Sequence, residues 1–274
     1  MSLLLKETVA ALEEKLGTQL DWLTVADVAV GVFFTGVVLE TGHAGMAATP
    51  IREIPEAVCC PRSLARMPEA GSIRGRLARD LLPFALDRNV LKRAIGVATL
   101  NALSHLLEDK AGADGYLVTV GRDALDALPI GTGTKVVLVG AFEPYIRRLR
   151  QVEADFCVVE KNPETLRGVD RSRYRSPEAA RDVFAGAEVA ILTGSALVNH
   201  TMDALLDAVS KFCRIAVAGP TASLFPLPLF ARGVEVVGGI RITDPALMVR
   251  ILTEGGSGHH LRGECGQKMV MTPA

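Results

Sequence analysis

The sequence predicts an α/β fold in two units: a small α+β unit over residues 1–112, then a doubly wound parallel sheet over 113–274. Three observations carry this. Apolar runs of strand length alternate with helical patterns after residue 134, as βαβ units require. The residues before about 110 show no such alternation and hold three prolines in one irregular section. Between them, "AGADG" (111–115) has the composition of a linker.

In order, "MSLLLKETVAALEEKLG" reads as an amphipathic helix, because Lys6, Glu7, Glu13 and Glu14 interrupt its apolar pattern. "LTVADVAVGVFFTGVVLETG" is rich in Val, Phe and Thr and punctuated by Gly31 and Gly42, so it predicts two neighbouring strands. The stretch "TGHAGMAATP" follows as a glycine-rich turn or a loop that approaches a ligand closely. After the proline-rich section come two helices. The second, "NVLKRAIGVATLNALSHLLEDK", places Leu91, Ile95, Ala98, Ala102 and Leu106 at helical spacing, with Asp87 or Asn89 as N-cap.

In the second unit, "KVVLVG" is a continuous apolar run suited to a strand covered on both faces. The helix "EPYIRRLRQ", the strand "DFCVVE" and the serine-capped helix "SPEAARDVFAGA" follow. Then come the strand "EVAILTG", the helix "NHTMDALLDAVSKF", the strands "CRIAVAGP" and "VEVVGGI", and the helix "DPALMVRILTEGG".

Composition excludes some partners. A formal net charge of −1 gives no electrostatic reason to seek nucleic acid. The longest uncharged run, 215–231, is broken by Pro220, Pro226 and Pro228, and is shorter than the roughly 20 residues of a spanning helix. No membrane partner is expected. Five cysteines without disulfide-framework spacing fit a reducing cytoplasm. An assembly of identical copies stays open.

In a doubly wound sheet the ligand sits off the carboxyl ends of the strands. Those ends are "VGAFEP", Glu160, "TGSALVNHT" and "GPTAS". They nominate Gly140, Phe142, Glu143, Thr193, Gly194, Ser195, Asn199, Thr201, Gly219, Pro220 and Thr221 for ligand binding, and Glu160 as candidate base or anchor. Glu160 falls about 20 residues after Gly140, where nucleotide-binding folds place a ribose-accepting carboxylate. Phe142 and Pro144 stand where a pyrophosphate-binding loop needs glycines, so a dinucleotide is not expected. An adenosyl ligand without pyrophosphate is compatible. Ser195, His200 and Thr201 lack the setting of a hydrolase nucleophile.

Histidine and cysteine are the natural transition-metal ligands. Candidates are His43, the pair Cys59 and Cys60, and the segment holding His259, His260 and Cys265, which its glycines mark as a mobile polar tail unless it holds metal. Cys157 and Cys213 lie in or beside strands, as small buried residues.

The segments "GHAGMAATP", "RAIGVATLNALS", "VVLVGAFEPYIRRL", "LTGSALVNHTMDALL" and "AVAGPTASLFPLPLFARGVEVVGG" resemble, in the same order, the putative heavy-metal chelation family of bacteria and archaea. The resemblance spans nearly the whole chain. It implies an enolase N-terminal-like domain followed by a Rossmann-like domain, with a site between them. It also implies handling of a metal or a metal-chelating organic ligand, with a transition metal as the cofactor to test. The alternatives are an enzyme condensing or hydrolysing a pterin-, flavin- or siderophore-like molecule, and an S-adenosylmethionine-dependent transferase. With the site between the domains, "TGHAGMAATP" becomes its lip, through His43 and Gly45, and Asn101 points into it.

Overall fold

The computed structural model of the protein describes residues 2–51, 69–112, 114–261 and 263–274. Cys59 and Cys60 lie outside them.

Helix α1 (Leu3–Leu16) starts at Ser2, whose hydroxyl accepts the Leu5 N–H, and buries Leu4, Leu5, Leu12 and Leu16. Strands β1 (Val25–Val30), β2 (Phe34–Leu39) and β3 (Ala44–Ala48) form an antiparallel meander. Strand β3 corrects the sequence reading, because it runs through the glycine-rich stretch assigned to a turn or ligand loop. The turn itself is only residues 40–43, with Gly42 at φ 83°. Glycine persists inside β3 because helix α2 (Val90–Ala111) lies against it. A Cβ on Gly45 would stand 2.3 Å from both the Ala98 carbonyl oxygen and the Ala102 nitrogen. Asn89 caps α2 by accepting from the Leu91 and Lys92 N–H groups. The helix expected before it is a 3-10 segment, Ala78–Leu86, with Pro83 inside.

The second sheet has the order β4-β11-β10-β9-β8-β5-β6-β7. Its parallel core comprises β5 (Lys135–Val139), β6 (Asp155–Val159), β7 (Tyr174–Arg175), β8 (Val189–Thr193), β9 (Arg214–Ala218) and β10 (Val234–Ile242). From β5 the chain builds outward through β6 and β7. It then returns to the other side of β5 for β8, β9 and β10, so the order reverses between β5 and β8. That is the topology of a Rossmann-like sheet. The crossovers carry α3 (Glu143–Gln151), α4 (Ala180–Ala185), α5 (Ser195–Val198), α6 (Met202–Ala208) and α7 (Leu227–Phe230). The expected serine cap at 176 makes no capping hydrogen bond. A 3-10 turn, Pro177–Ala179, precedes α4 instead.

The sheet is mixed rather than wholly parallel. After α8 (Pro245–Thr253) and α9 (Gly258–Leu261), β11 (Gly266–Pro273) returns antiparallel to β10, and β4 (Tyr116–Val120) adds antiparallel to β11. Within the segment read as a mobile polar tail, residues 258–261 form α9, and β11 begins directly after Cys265. Met269, Val270 and Met271 are buried along β11, which is why it stays.

The two sheets share their packing. The meander has α2 on one face and α8 on the other, where a Cβ on Gly36 would meet Leu252 and Met248. Buried Leu12, Leu39 and Leu103 belong to the same apolar cluster as Val137, Leu192 and Val217 of the second sheet.

Candidate functional site

Above the β5/β8 reversal, the strand ends and the far end of β3 enclose a cavity of about 490 Å³. Its floor is apolar, with Val139, Val159, Ala180, Ala196 and Leu205. Its polar groups are Glu160, Thr193, Ser195, Asn199 and Thr201 from the strand-end loops, Lys161 beside them, and Thr49 beyond β3.

Glu160 ends β6. Its Oε2 accepts the Ala141 N–H at 3.2 Å and its Oε1 accepts the Asn162 N–H at 3.2 Å. The carboxylate therefore pins the loop after β5 to the end of β6. Thr193 accepts the Ser195 N–H through Oγ1 at 3.2 Å, which starts α5 at once after β8. Gly140 takes φ 94°, and a Cβ there would come within 3.1 Å of Thr193. Only glycine lets the β5 loop fold this close to β8.

Phe142 occupies the crevice itself. It stacks on Tyr145 with ring centroids 5.4 Å apart, and the backbones of Gly140 and Gly219 approach its edge. The ring stands where a pyrophosphate would approach the loop. It also divides the crevice, because a second cavity of about 480 Å³ lies on its other side. Ala48, Ala141, Phe142 and Ser195 line both.

Around the second cavity, Asp123 takes a hydrogen bond from Lys268 at 2.6 Å, one from the Leu125 N–H at 3.0 Å, and one from the Tyr145 hydroxyl. Burial pushes the Asp123 carboxyl up, but these donors outweigh it and hold it below the usual carboxylate range. Burial, with Asp123 beside it, raises the Tyr145 phenol above its ordinary range. Asp123, Tyr145 and Lys268 escaped the sequence reading. The only local signal, Asp123 three residues before Asp126, marks a capping box and not a site.

The residues nominated from sequence divide three ways. Gly140, Phe142, Glu160, Thr193, Ser195, Asn199 and Thr201 line the first cavity. Glu143, Gly219 and Pro220 line the second, which also receives Phe142 and Ser195. His43, Gly45, Asn101, Gly194 and Thr221 line neither. Gly45 is a packing glycine. Gly194 is another, since a Cβ there would lie 2.9 Å from the Ala222 nitrogen. Asn101 is fully buried and donates through Nδ2 to the Met46 and Thr221 carbonyls at 2.6 and 3.1 Å. Thr221 accepts the Ala48 N–H at 2.9 Å. These two side chains tie β3 to the loop after β9 and so set the distance between the walls of the crevice. His200 takes φ 55° and places Nε2 2.9 Å from the Ala85 carbonyl, a tie between loops.

The metal candidates stand apart. His43 lies at the end of β3 away from the crevice, 3.1 Å from Asp109 and 3.0 Å from Thr41. Cys265 is fully buried with its Sγ against the Leu261 carbonyl, and burial raises its thiol. His260 accepts the Ser257 N–H through Nδ1, and His259 lines the second cavity. Among the described residues no three His, Cys, Asp or Glu side chains are grouped to hold a metal ion. The donor set among the described residues does not fit a bare transition ion. Burial also raises the thiols of Cys157 and Cys213, the latter to about 11. Among the described residues no helix is long and apolar enough to cross a membrane.

The chain is similar to a protein of unknown function from Pyrococcus horikoshii, with 21% identity and a TM-score of 0.75 over 98% of this chain and 99% of that one. A second such structure, from Desulfitobacterium hafniense, gives 19% identity and a TM-score of 0.73 over 96% and 99%. Both were solved as members of one family of unknown function, and at this identity the likeness concerns the fold. An uncharacterized protein of Methanocaldococcus jannaschii is 26% identical over 171 residues, an alignment spanning 60% of each chain. Two sequence profiles, each described as putative heavy-metal chelation, match residues 13–104 and 123–271. The two matches cover the meander and the second sheet apart from β4, and the chain therefore belongs to the putative heavy-metal chelation family.

Proposed function

We propose that the first cavity binds a small organic molecule able to chelate metal, and that a heavy metal reaches the protein as the cargo of that molecule. One observation carries this reading. The described residues lining the cavity offer a carboxylate, an amide and several hydroxyls over an apolar floor, with neither histidine nor cysteine among them. Such a lining recognises an oxygen- and nitrogen-rich organic ligand better than a bare soft ion. Residues 1–112 and 113–274, taken as two domains, each supply one wall. Glu160 anchors a hydroxyl or amine of the ligand, and Asn199 and Thr193 add hydrogen bonds contributing on the order of 1 kcal/mol each.

A thermal-shift panel of pterins, flavins, nucleosides, S-adenosylmethionine and hydroxamate or catecholate chelators, each chelator with and without metal, finds the ligand class. Glu160→Gln keeps the shape and removes the charge. It should weaken the cognate ligand about tenfold without unfolding the protein, although the amide can accept only one of the two backbone N–H groups and some stability is lost. Unchanged affinity in Glu160→Gln would remove this residue from the site.

The adenosyl alternative has its own support. Glu160 ends the strand that adjoins β5 on the far side of the reversal, where a carboxylate can accept ribose hydroxyls. S-adenosylmethionine in the same panel separates the two, and catalysis on a pterin- or siderophore-like ligand would appear as its turnover.

A further inference from the structure

The geometry points to the second cavity as a separate binding site for a planar aromatic acid. Its shape and its charge both argue for that class. The rings of Phe34 and Phe142 form walls, and the backbone of Gly238 and Gly239 takes part in the lining. Aromatic walls favour a planar ring that can stack on them over a branched aliphatic group of equal volume. The cavity, at about 480 Å³, has room for a bicyclic ring system.

The charges select an anion. Among the described residues six titratable side chains line the cavity: Arg122, Asp123, Glu143, Tyr145, His259 and Lys268. Lys268 and Asp123 neutralise each other at 2.6 Å, with Tyr145 also on the carboxylate. Glu143 is paired with Arg147 at 3.7 Å. Arg122 donates to the Asp126 carbonyl at 2.6 Å, a partner that carries no charge. With Arg147 counted beside Glu143, the described residues leave one positive charge, Arg122, in surplus at the rim, and a guanidinium fork suits a carboxylate. The ring lies against the phenylalanines and its acid group reaches Arg122. The second cavity's own lining selects this class of occupant, whichever molecule the first cavity takes.

Salicylate, which is fluorescent, is a suitable probe with the full chain, and salicylamide is the control with the same ring and no charge. Saturable binding of one equivalent of salicylate below about 1 mM is expected for so small a ligand. Arg122→Gln changes an exposed side chain and should weaken it about three- to tenfold. Gly258→Leu narrows the cavity: an added Cβ there lies 3.8 Å from the Phe34 ring, an ordinary contact, on backbone that any residue adopts. That variant should weaken salicylate more than tenfold while keeping the parent circular dichroism. Glu160→Gln should leave salicylate binding unchanged. The proposal is overturned by absence of saturation, by equal affinity for salicylamide, or by equal affinity in Arg122→Gln. It is also overturned if Glu160→Gln weakens salicylate, which would put the probe in the first cavity.

Discussion

His105 shows how one side chain couples the fold to pH. It is buried between α2 and β3, with Nδ1–H donating to the Ala44 carbonyl at 3.1 Å and Nε2 buried without a hydrogen-bond partner. Burial lowers its pKa from 6.5 to about 4, with Arg241 and His43 adding to the shift and Asp109 and the Ala44 bond opposing it. The folded-state value lies below the unfolded one. Its contribution to stability is therefore complete above about pH 6.5 and is lost as the pH falls toward 4. A depression of this size corresponds to roughly 3 kcal/mol. Chemical unfolding measured across that window should show stability falling with acid, and His105→Leu should flatten the slope. An unchanged slope would assign the effect to other groups. At this scale the sequence was only partly readable. Glu160, Thr193 and Asn199 could be placed at strand ends, because alternation locates those ends without knowledge of the packing. Asn101, Thr221 and Gly194 could not be told from ligand-facing residues. A buried amide bonded to backbone and an amide aimed at a ligand leave the same letter in a helix.

Between elements, the contact of α2 with β3 decides the position of the crevice wall. Gly45 is the point of closest approach, and no side-chain movement relieves a clash with helix backbone. Gly45→Ala should cost at least about 2 kcal/mol in urea unfolding and displace β3 from the Thr221 hydroxyl. A variant as stable as the parent would show that the helix can move away at little cost. The parallel strands beginning near Lys135, Asp155, Glu188 and Arg214 were legible from their apolar runs, and they do pair in parallel. Strands β3, β4 and β11 were not. Strand β3 runs through a glycine-rich stretch, and β4 and β11 each follow one, so local composition pointed to loop or tail. Strands β4 and β11 are also held by neighbours distant in sequence.

Across the whole molecule, we propose that the units 1–112 and 113–274 unfold as one. Their buried residues belong to a common apolar cluster, α8 of the second covers the meander of the first, and Asp203 accepts from Ser2 and from the Leu4 N–H of α1. Fluorescence of Trp22, the single tryptophan, should trace the same urea transition as far-UV circular dichroism. Two separated transitions would show independent units. The second cavity was invisible at this scale too, since Asp123, Tyr145 and Lys268 converge only once β11 has returned along β10. The aromatic ring that divides the crevice has one more consequence. A partition touched from both sides cannot yield to one occupant without changing the volume left to the other. If both cavities take ligands, occupancy on one side is linked to occupancy on the other, and reciprocity demands that each ligand alter its neighbour's dissociation constant by the same factor. Phe142 would set the sign and size of that factor by how far it rotates.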